Sequence, residues 1–204
     1  MSNDSAEHIK ASFIDWLIAH HEDIVIGNEV MYGSKRKVVD LLAIIKDKIV
    51  AIEIKSAFDK LARLPEQIVE CSKIFDRIIV VSTPSHIAGI TSIISSRIGF
   101  YIIDASIKAK QKPLLIYNQD KLEMLYSIST TFLKKQYPQY RNLKENEIRF
   151  LLSKEKKTDI HRLMVSFYRQ RLNEKFQMFM SDRGAHTLVD DIPTLSSLTR
   201  IELF

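Results

Sequence analysis

Three ionisable residues stand where charge is costly. In the run Ile49-Val-Ala-Ile-Glu-Ile-Lys55, Glu53 and Lys55 are two positions apart, so in a strand they share one face while Ile52 and Ile54 enter the core on the other. An acid and a base in such a run are strongly destabilising if left dry and unpaired, so they need partners or a cleft. Asp40 lies in the preceding apolar run, Val38 to Ile45, and only Lys46, Asp47 and Lys48 separate the two. A β-hairpin is the economical reading, and it carries Asp40 across from Glu53. Two carboxylates held close repel each other unless a cation neutralises them, and hard oxygen ligands of this kind suit Mg2+ or Mn2+.

The flanking sequence supplies elements that can hold this hairpin in place. Ser5 to Ala19 reads as a helix, with Ile9, Phe13, Trp16 and Leu17 at helical spacing, and Val25 to Tyr32 as a strand. Gly33 and Ser34 turn into the basic trio Lys35, Arg36 and Lys37 ahead of the hairpin. Pro65 opens a helix whose apolar face includes Ile68, Val69 and Phe75. Strands are predicted at Arg77 to Ser82 and Phe100 to Asp104, with a helix from Ser85 to about Ile98 between them. The order is αβββαβαβ, which requires a mixed sheet flanked by helices, because crossovers between parallel strands return over its faces. Ala105 to Gln119 reads as an exposed connection with one short edge strand at Leu114 to Tyr117, and a boundary is placed near Asn118. Residues 1–118 then form an α/β unit, and 119–204 a basic, mainly helical extension. Leu122, Leu125, Ile128 and Phe132 mark one of its helices, and Ile160 to Met180 another; nothing in 190–204 points to chemistry.

Composition narrows the class. The 204 residues are 46% hydrophobic, with five Gly, five Pro and no low-complexity run, which suits a globular chain with a real core. A single Cys excludes an internal disulfide. The start MSNDSAEH lacks the pattern of a secretory signal and no apolar run is long enough to span a bilayer, so the expected location is the cytoplasm, with no membrane partner. The net charge is +5, concentrated between Phe132 and Gln177, where twelve Lys/Arg face five Asp/Glu. That region either attracts polyanions or is solvated helix surface. Gly-rich phosphate loops, HExxH, paired-Cys zinc patterns and GxSxG turns are absent, and His20, His21 and His161 read as surface or cap residues.

Asp40 on the second strand, Glu53-Ile54-Lys55 on the third and Gln67 on the following helix resemble the PD-(D/E)XK nuclease superfamily. The stretch from Glu53 to Gln67 looks like a small, uncharacterised branch of it, often found in phage or mobile elements. The resemblance covers about Glu29 to Val81 and implies a restriction-endonuclease-like αβββαβ core with a mixed sheet, carrying the helical C-terminal part as an extension. It implies that Asp40 and Glu53 hold one or two Mg2+ or Mn2+ ions, with the Ile54 carbonyl as a further ligand and Lys55 positioning or activating the attacking water. Gln67 is a site residue, whereas Cys71 stands where many members have Tyr and reads as a buried thiol. Glu29 is a candidate additional ligand, and Glu7 on the first helix competes for that place.

The implied function is metal-dependent hydrolysis of nucleic acid, DNA more than RNA. Arg36, Lys60, Arg63, Lys154, Lys156 and Lys157 are candidate phosphate contacts, although Asp59, Lys60 and Arg63 are equally explained as capping and surface charge. A homodimer would fit an enzyme that cuts two strands with two copies, but no interface is legible. The alternative is a catalytically silent nuclease-fold module that binds nucleic acid or a partner protein. A purely structural buried ion cluster is the weakest reading, because such clusters seldom outdo apolar packing.

Overall fold

The computed structural model describes residues 5–197. The first half follows the expected order: α1 (Ala6–His20), β1 (Ile24–Tyr32), β2 (Lys37–Ile45), β3 (Lys48–Lys55), α2 (Leu64–Ser72), β4 (Arg77–Ser82), α3 (Ile87–Ile93) and β5 (Gly99–Ile103). With β6 (Ile107–Gln111) they build one six-stranded mixed sheet whose strands lie side by side in chain order. The pairs β1–β2, β2–β3 and β5–β6 are antiparallel, while β3–β4 and β4–β5 are parallel, with α2 and α3 in the crossovers. The β2–β3 hairpin is tighter than expected. Lys48 pairs with Ile45, so the loop is only Lys46 and Asp47, and Lys46 adopts a left-handed φ of 55° to close it.

The register separates the two faces of the sheet. Tyr101 pairs with Val81 and Val81's row includes Ile54, and on this face the Phe13 and Trp16 rings of α1 pack against Tyr101. Gly27 pairs with Leu42 and Leu42 with Ala51, which shares its face with Glu53. There α7 (Lys157–Asp182) crosses β1, and a Cβ at Gly27 would come within 2.7 Å of Leu172. The two helical layers thus enclose β3, whose residues from Ile49 onward are all buried.

The C-terminal half departs from the sequence reading in several places. β6 falls in the stretch expected to be an exposed connection, and the edge strand expected at Leu114 to Tyr117 does not form; those residues instead lie beside the sheet, with Ile116 N–H donating to the Asp76 carbonyl (2.8 Å). The single helix expected over Leu122 to Phe132 is two, α4 (Lys121–Tyr126) and α5 (Thr130–Gln136). Ser129 breaks it by turning its hydroxyl to the Phe132 N–H (3.2 Å), the competition with helical bonding that makes Ser a capping residue. A further helix, α6 (Glu145–Leu152), precedes α7. One apolar core runs without interruption from Ile9 through the sheet to Phe179 and Leu195, so residues after Asn118 pack as part of the same body. A 3-10 segment, Val189–Leu195, lies against α1, α7 and β1 and covers the β1 edge, where Ser197 N–H donates to the Asn28 carbonyl (2.9 Å). Residues 198–204 of the C-terminal stretch lie outside the described residues.

Arg149 of α6 belongs to this packing and not to any polyanion surface. It is 3% exposed, donates to the carbonyls of Leu125 (3.1 Å) and Ile128 (2.9 Å), and pairs with Glu145 (2.7 Å). The Leu125 carbonyl also takes the Ile128 N–H at 3.1 Å, so Arg149 is a second donor there and the donor to Ile128 where α4 gives way to α5. Arg149→Met keeps the stem volume but removes both of these bonds, and is expected to lower unfolding stability by about 2–3 kcal/mol. Equilibrium urea denaturation checks this; a loss below about 0.5 kcal/mol would show that solvent satisfies those carbonyls instead.

Candidate active site

The ladder between β2 and β3 runs from the hairpin to Leu41↔Ile52, and the next step brings Asp40 and Glu53 opposite each other. The two strands do not simply continue there. Asp40 Oδ2 accepts the Ile54 N–H at 2.7 Å, so a side chain takes a backbone donor and the carboxylate is pinned at the end of the hairpin. Glu53 is fully buried, held between β2 and β4. Its Oε2 accepts from Gln67 Nε2 at 2.5 Å and faces Lys55 Nζ at 3.8 Å, while its Oε1 is buried with no partner. Gln67 Oε1 is likewise buried and unpartnered. Burial first, and then the neighbouring Asp40 charge, push the Glu53 carboxyl up to about 8, with Lys55 acting against the shift. An acid in this state either keeps its proton or awaits a cation.

The helix that carries Gln67 is fixed by charges the sequence left unassigned. Lys37 and Lys35 bond to Glu66 and Glu70, each at 2.8 Å, so two members of the basic trio staple the β1–β2 turn to α2. One helical turn beyond Gln67, Cys71 donates its thiol to Tyr32 Oη at 3.2 Å. Burial raises the Cys71 thiol well above its ordinary range and the Glu53 charge adds to the effect, as expected for an inert buried thiol. Tyr32 is itself buried, and a phenol reaching α2 from β1 was invisible in the sequence because the two residues are far apart in the chain.

Beyond Lys55 the site opens into a cleft of about 400 Å³ lined by Lys55, Phe58, Asp59, Lys60, Ala62, Arg63 and Gln67. Lys60 and Arg63 therefore belong with the carboxylates and the lysine. Asp59 caps the turn, its Oδ2 accepting from Ser56 N–H (2.7 Å) and Ser56 Oγ–H (2.6 Å).

The other sequence candidates lie apart, except Glu29, which stays beside Asp40 in the strand register. Among the described residues no three His, Cys, Asp or Glu side chains gather into a metal-holding group. Glu29 occupies the step opposite Asp40, between Asn28↔Leu41 and Val30↔Val39, but takes a left-handed φ of 51°, and its carbonyl accepts from Ser197 Oγ (2.8 Å). Glu7 pairs with Lys10 at 3.0 Å. Arg36 lines a separate hollow of about 420 Å³ with Ser127, Ser129 and Arg149. Lys157 donates to Tyr117 O and Gln119 Oε1 and lines, with Lys48, Asp76 and His161, a cavity of about 440 Å³ at the hairpin end of the sheet. That end is roughly 23 Å from Lys55, seven residues of β3 at about 3.3 Å each. Lys154 stacks over Phe150 (4.9 Å), and Lys156 is exposed beside it at the start of α7. His161 is not isolated, since its Nε2 pairs with Asp76 Oδ2 at 2.8 Å.

The fold and site define a mixed-sheet α/β protein in which a buried Glu53 and a half-buried Asp40 stand beside a cleft lined by Lys55, Gln67, Lys60 and Arg63. The family model of bacteriophage P4 protein cII matches residues 1–196, and the chain belongs to that family. Protein cII of Enterobacteria phage P4 is 26% identical over 208 residues, spanning 95% of this chain and 78% of that protein. A solved structure, the SPO1766 protein of unknown function from Silicibacter pomeroyi, has a TM-score of 0.45 at 16% identity, covering 66% of this chain and 89% of its own. Among the described residues no helix is long and apolar enough to cross a membrane.

Proposed function

We propose that this chain is a Mg2+- or Mn2+-dependent nuclease with a restriction-endonuclease-like core, acting on nucleic acid and on DNA in preference to RNA. The observation that carries the reading is the buried Glu53 carboxylate, with one oxygen unpartnered, set between Asp40 and Lys55 at the mouth of a cleft bearing Lys60 and Arg63. The oxygens fit a hard divalent ion: Glu53 Oε1 and Gln67 Oε1 are buried with no donor, and Asp40, which holds the Ile54 N–H through Oδ2, is close enough to the Glu53 carboxyl to share a hydrogen bond with it. The Ile54 carbonyl, on the strand residue whose N–H Asp40 holds, would complete the set. Such an ion, when bound, supplies the positive charge that polarises a phosphodiester and acidifies water at neutral pH.

The chain's own residues would do the rest. Asp40 and Glu53 would hold such an ion, Glu53 as the carboxylate with its proton released to solvent. Lys55, anchored against Glu53, offsets negative charge on the phosphate and orients the water. Gln67 holds Glu53 Oε2 so that Oε1 stays turned to the site. The test is incubation of purified protein with linear, nicked, branched and single-stranded DNA, and with RNA, in Mg2+ or Mn2+. Cleavage by wild type that Asp40→Ala and Lys55→Ala both lose supports the enzyme; binding with no cleavage of any substrate leaves a silent nucleic-acid-binding module.

The separation of the basic groups gives a second expected outcome. Lys60 and Arg63 touch the substrate at the cleft, whereas Lys154 and Lys156 can be reached only by a polymer long enough to run along the sheet, about seven base pairs at ~3.4 Å each. Lys154→Ala with Lys156→Ala should lower the slope of log K against log salt by about 1–2 on a 20-base-pair duplex and leave it unchanged on a strand of about three nucleotides, too short to span the distance. Fluorescence anisotropy across a salt series measures both. Equal loss on the short strand would place those lysines elsewhere in the interface.

A further inference from the structure

Phe58 is the most exposed of the large apolar side chains among the described residues, at 80%, and it lines the same cleft as Lys55 and Gln67. Its exposure is not that of a slack loop. Asp59 ties the turn together through Ser56, and Asp59 N–H returns a bond to the Ser56 carbonyl at 3.2 Å. That carbonyl also accepts from His86 Nε2 at 2.8 Å, and Ser82 Oγ holds the carbonyl of Lys55 at 2.7 Å. The turn is therefore braced against β4 and the segment after it, and it presents an aromatic ring to water at a set distance from the candidate catalytic lysine.

An aromatic face beside Lys60 and Arg63 does not match an apolar peptide, which would cover these two cations without supplying counter-charges. It matches a nucleotide, which brings a phosphate for the cations and a flat base for the ring, and a cleft of about 400 Å³ is small enough to hold few such units. In a duplex both faces of every base are covered by stacking neighbours. Only an unpaired base offers a free face to a side chain that approaches from outside the helix.

Resting on the nuclease reading above, we infer that Phe58 is a stacking platform for an unpaired base next to the phosphate held at Lys55, so that the site acts on single strands, flaps or frayed ends in preference to intact duplex. Phe58 makes no ladder or core contact that its removal would break, so Phe58→Ala should fold with an unchanged melting temperature. The experiment measures anisotropy of the full chain on a fluorescent single strand and on a blunt duplex of equal length, with Ca2+ in place of Mg2+, for wild type, Phe58→Ala and Phe58→Trp. A single strand carrying 2-aminopurine adds a direct signal, because the fluorescence of a stacked base is quenched.

Phe58→Ala is expected to bind the single strand about tenfold more weakly and to lose the quenching, with duplex binding unchanged, while Phe58→Trp keeps both. Equal affinity of Phe58→Ala and wild type for the single strand, or equal loss on strand and duplex, overturns the stacking inference even where wild type cleaves DNA in Mg2+. Wild type that binds neither substrate and cleaves none overturns the nuclease reading, and the inference with it.

Discussion

Lys55→Met is expected to bind DNA with near wild-type affinity and to cleave it slower by on the order of 10²–10³-fold. The methionine keeps the aliphatic stem that packs beside β4, where Lys55 is only 9% exposed, so the strand and the cleft stay in place. What is lost is a single positive charge next to a buried carboxylate, and such a charge acts most strongly on the negative charge that develops at the phosphate in the transition state. A loss of this size corresponds to about 3–4 kcal/mol in the barrier. Single-turnover cleavage at saturating enzyme reports it, since it removes binding from the comparison. A rate within threefold of wild type would mean that Lys55 serves only to pair Glu53.

The second large effect concerns Glu53 and needs no substrate. Folded, this carboxyl holds its proton to about pH 8, against an ordinary value of 4.5. Between those values the native state binds one more proton than the unfolded chain. The stability Glu53 contributes is therefore complete below about pH 4.5 and falls as pH rises, by about 1.4 kcal/mol per unit, until it is lost above about pH 8. Without metal, the melting temperature should drop from pH 5.5 to pH 8 by more in wild type than in Glu53→Gln, which has no proton to lose. Magnesium should then raise the melting temperature of wild type strongly at pH 8 and little at pH 5.5, because it competes with the proton for the same oxygens. Glu53→Gln should respond weakly at both. Scanning calorimetry with EDTA or Mg2+ reads all four conditions. Identical pH slopes for wild type and Glu53→Gln would show that Glu53 is not the buried acid described here.

Much of this site was legible because it breaks a pattern. Glu53 and Lys55 interrupt an apolar run, Asp40 interrupts the one before it, and the short gap between the runs could only be a hairpin. The strands β1 to β5 and helices α1 and α2 follow from periodicity and turn residues for the same reason. β6 was missed because Ile107-Lys-Ala-Lys-Gln is an edge strand with only its end residues partly covered, so its composition is that of a loop. The break at Ser129 hides inside an unbroken helical period.

Contacts between distant segments were beyond reach. Nothing local tells that Lys35 and Lys37 neutralise α2, that Tyr32 meets Cys71, or that Arg149 is buried under α4. Of these, only Arg149 belongs to the basic stretch between Phe132 and Gln177, and its charge is spent inside the fold. Lys157 and the region around it, one strand length from Lys55, show the same limit for Lys154 and Lys156.

The central claim is that Asp40 and Glu53 hold a divalent ion for phosphodiester hydrolysis. It is tested most directly by following one end-labelled single-stranded DNA with wild type and Asp40→Asn, each in Mg2+ and in EDTA. Asp40→Asn keeps an oxygen to accept the Ile54 N–H and removes only the charge. The expected result is cleavage by wild type in Mg2+ alone, with both EDTA samples and the variant inactive. Cleavage that persists in EDTA, or equal cleavage by Asp40→Asn, would contradict it.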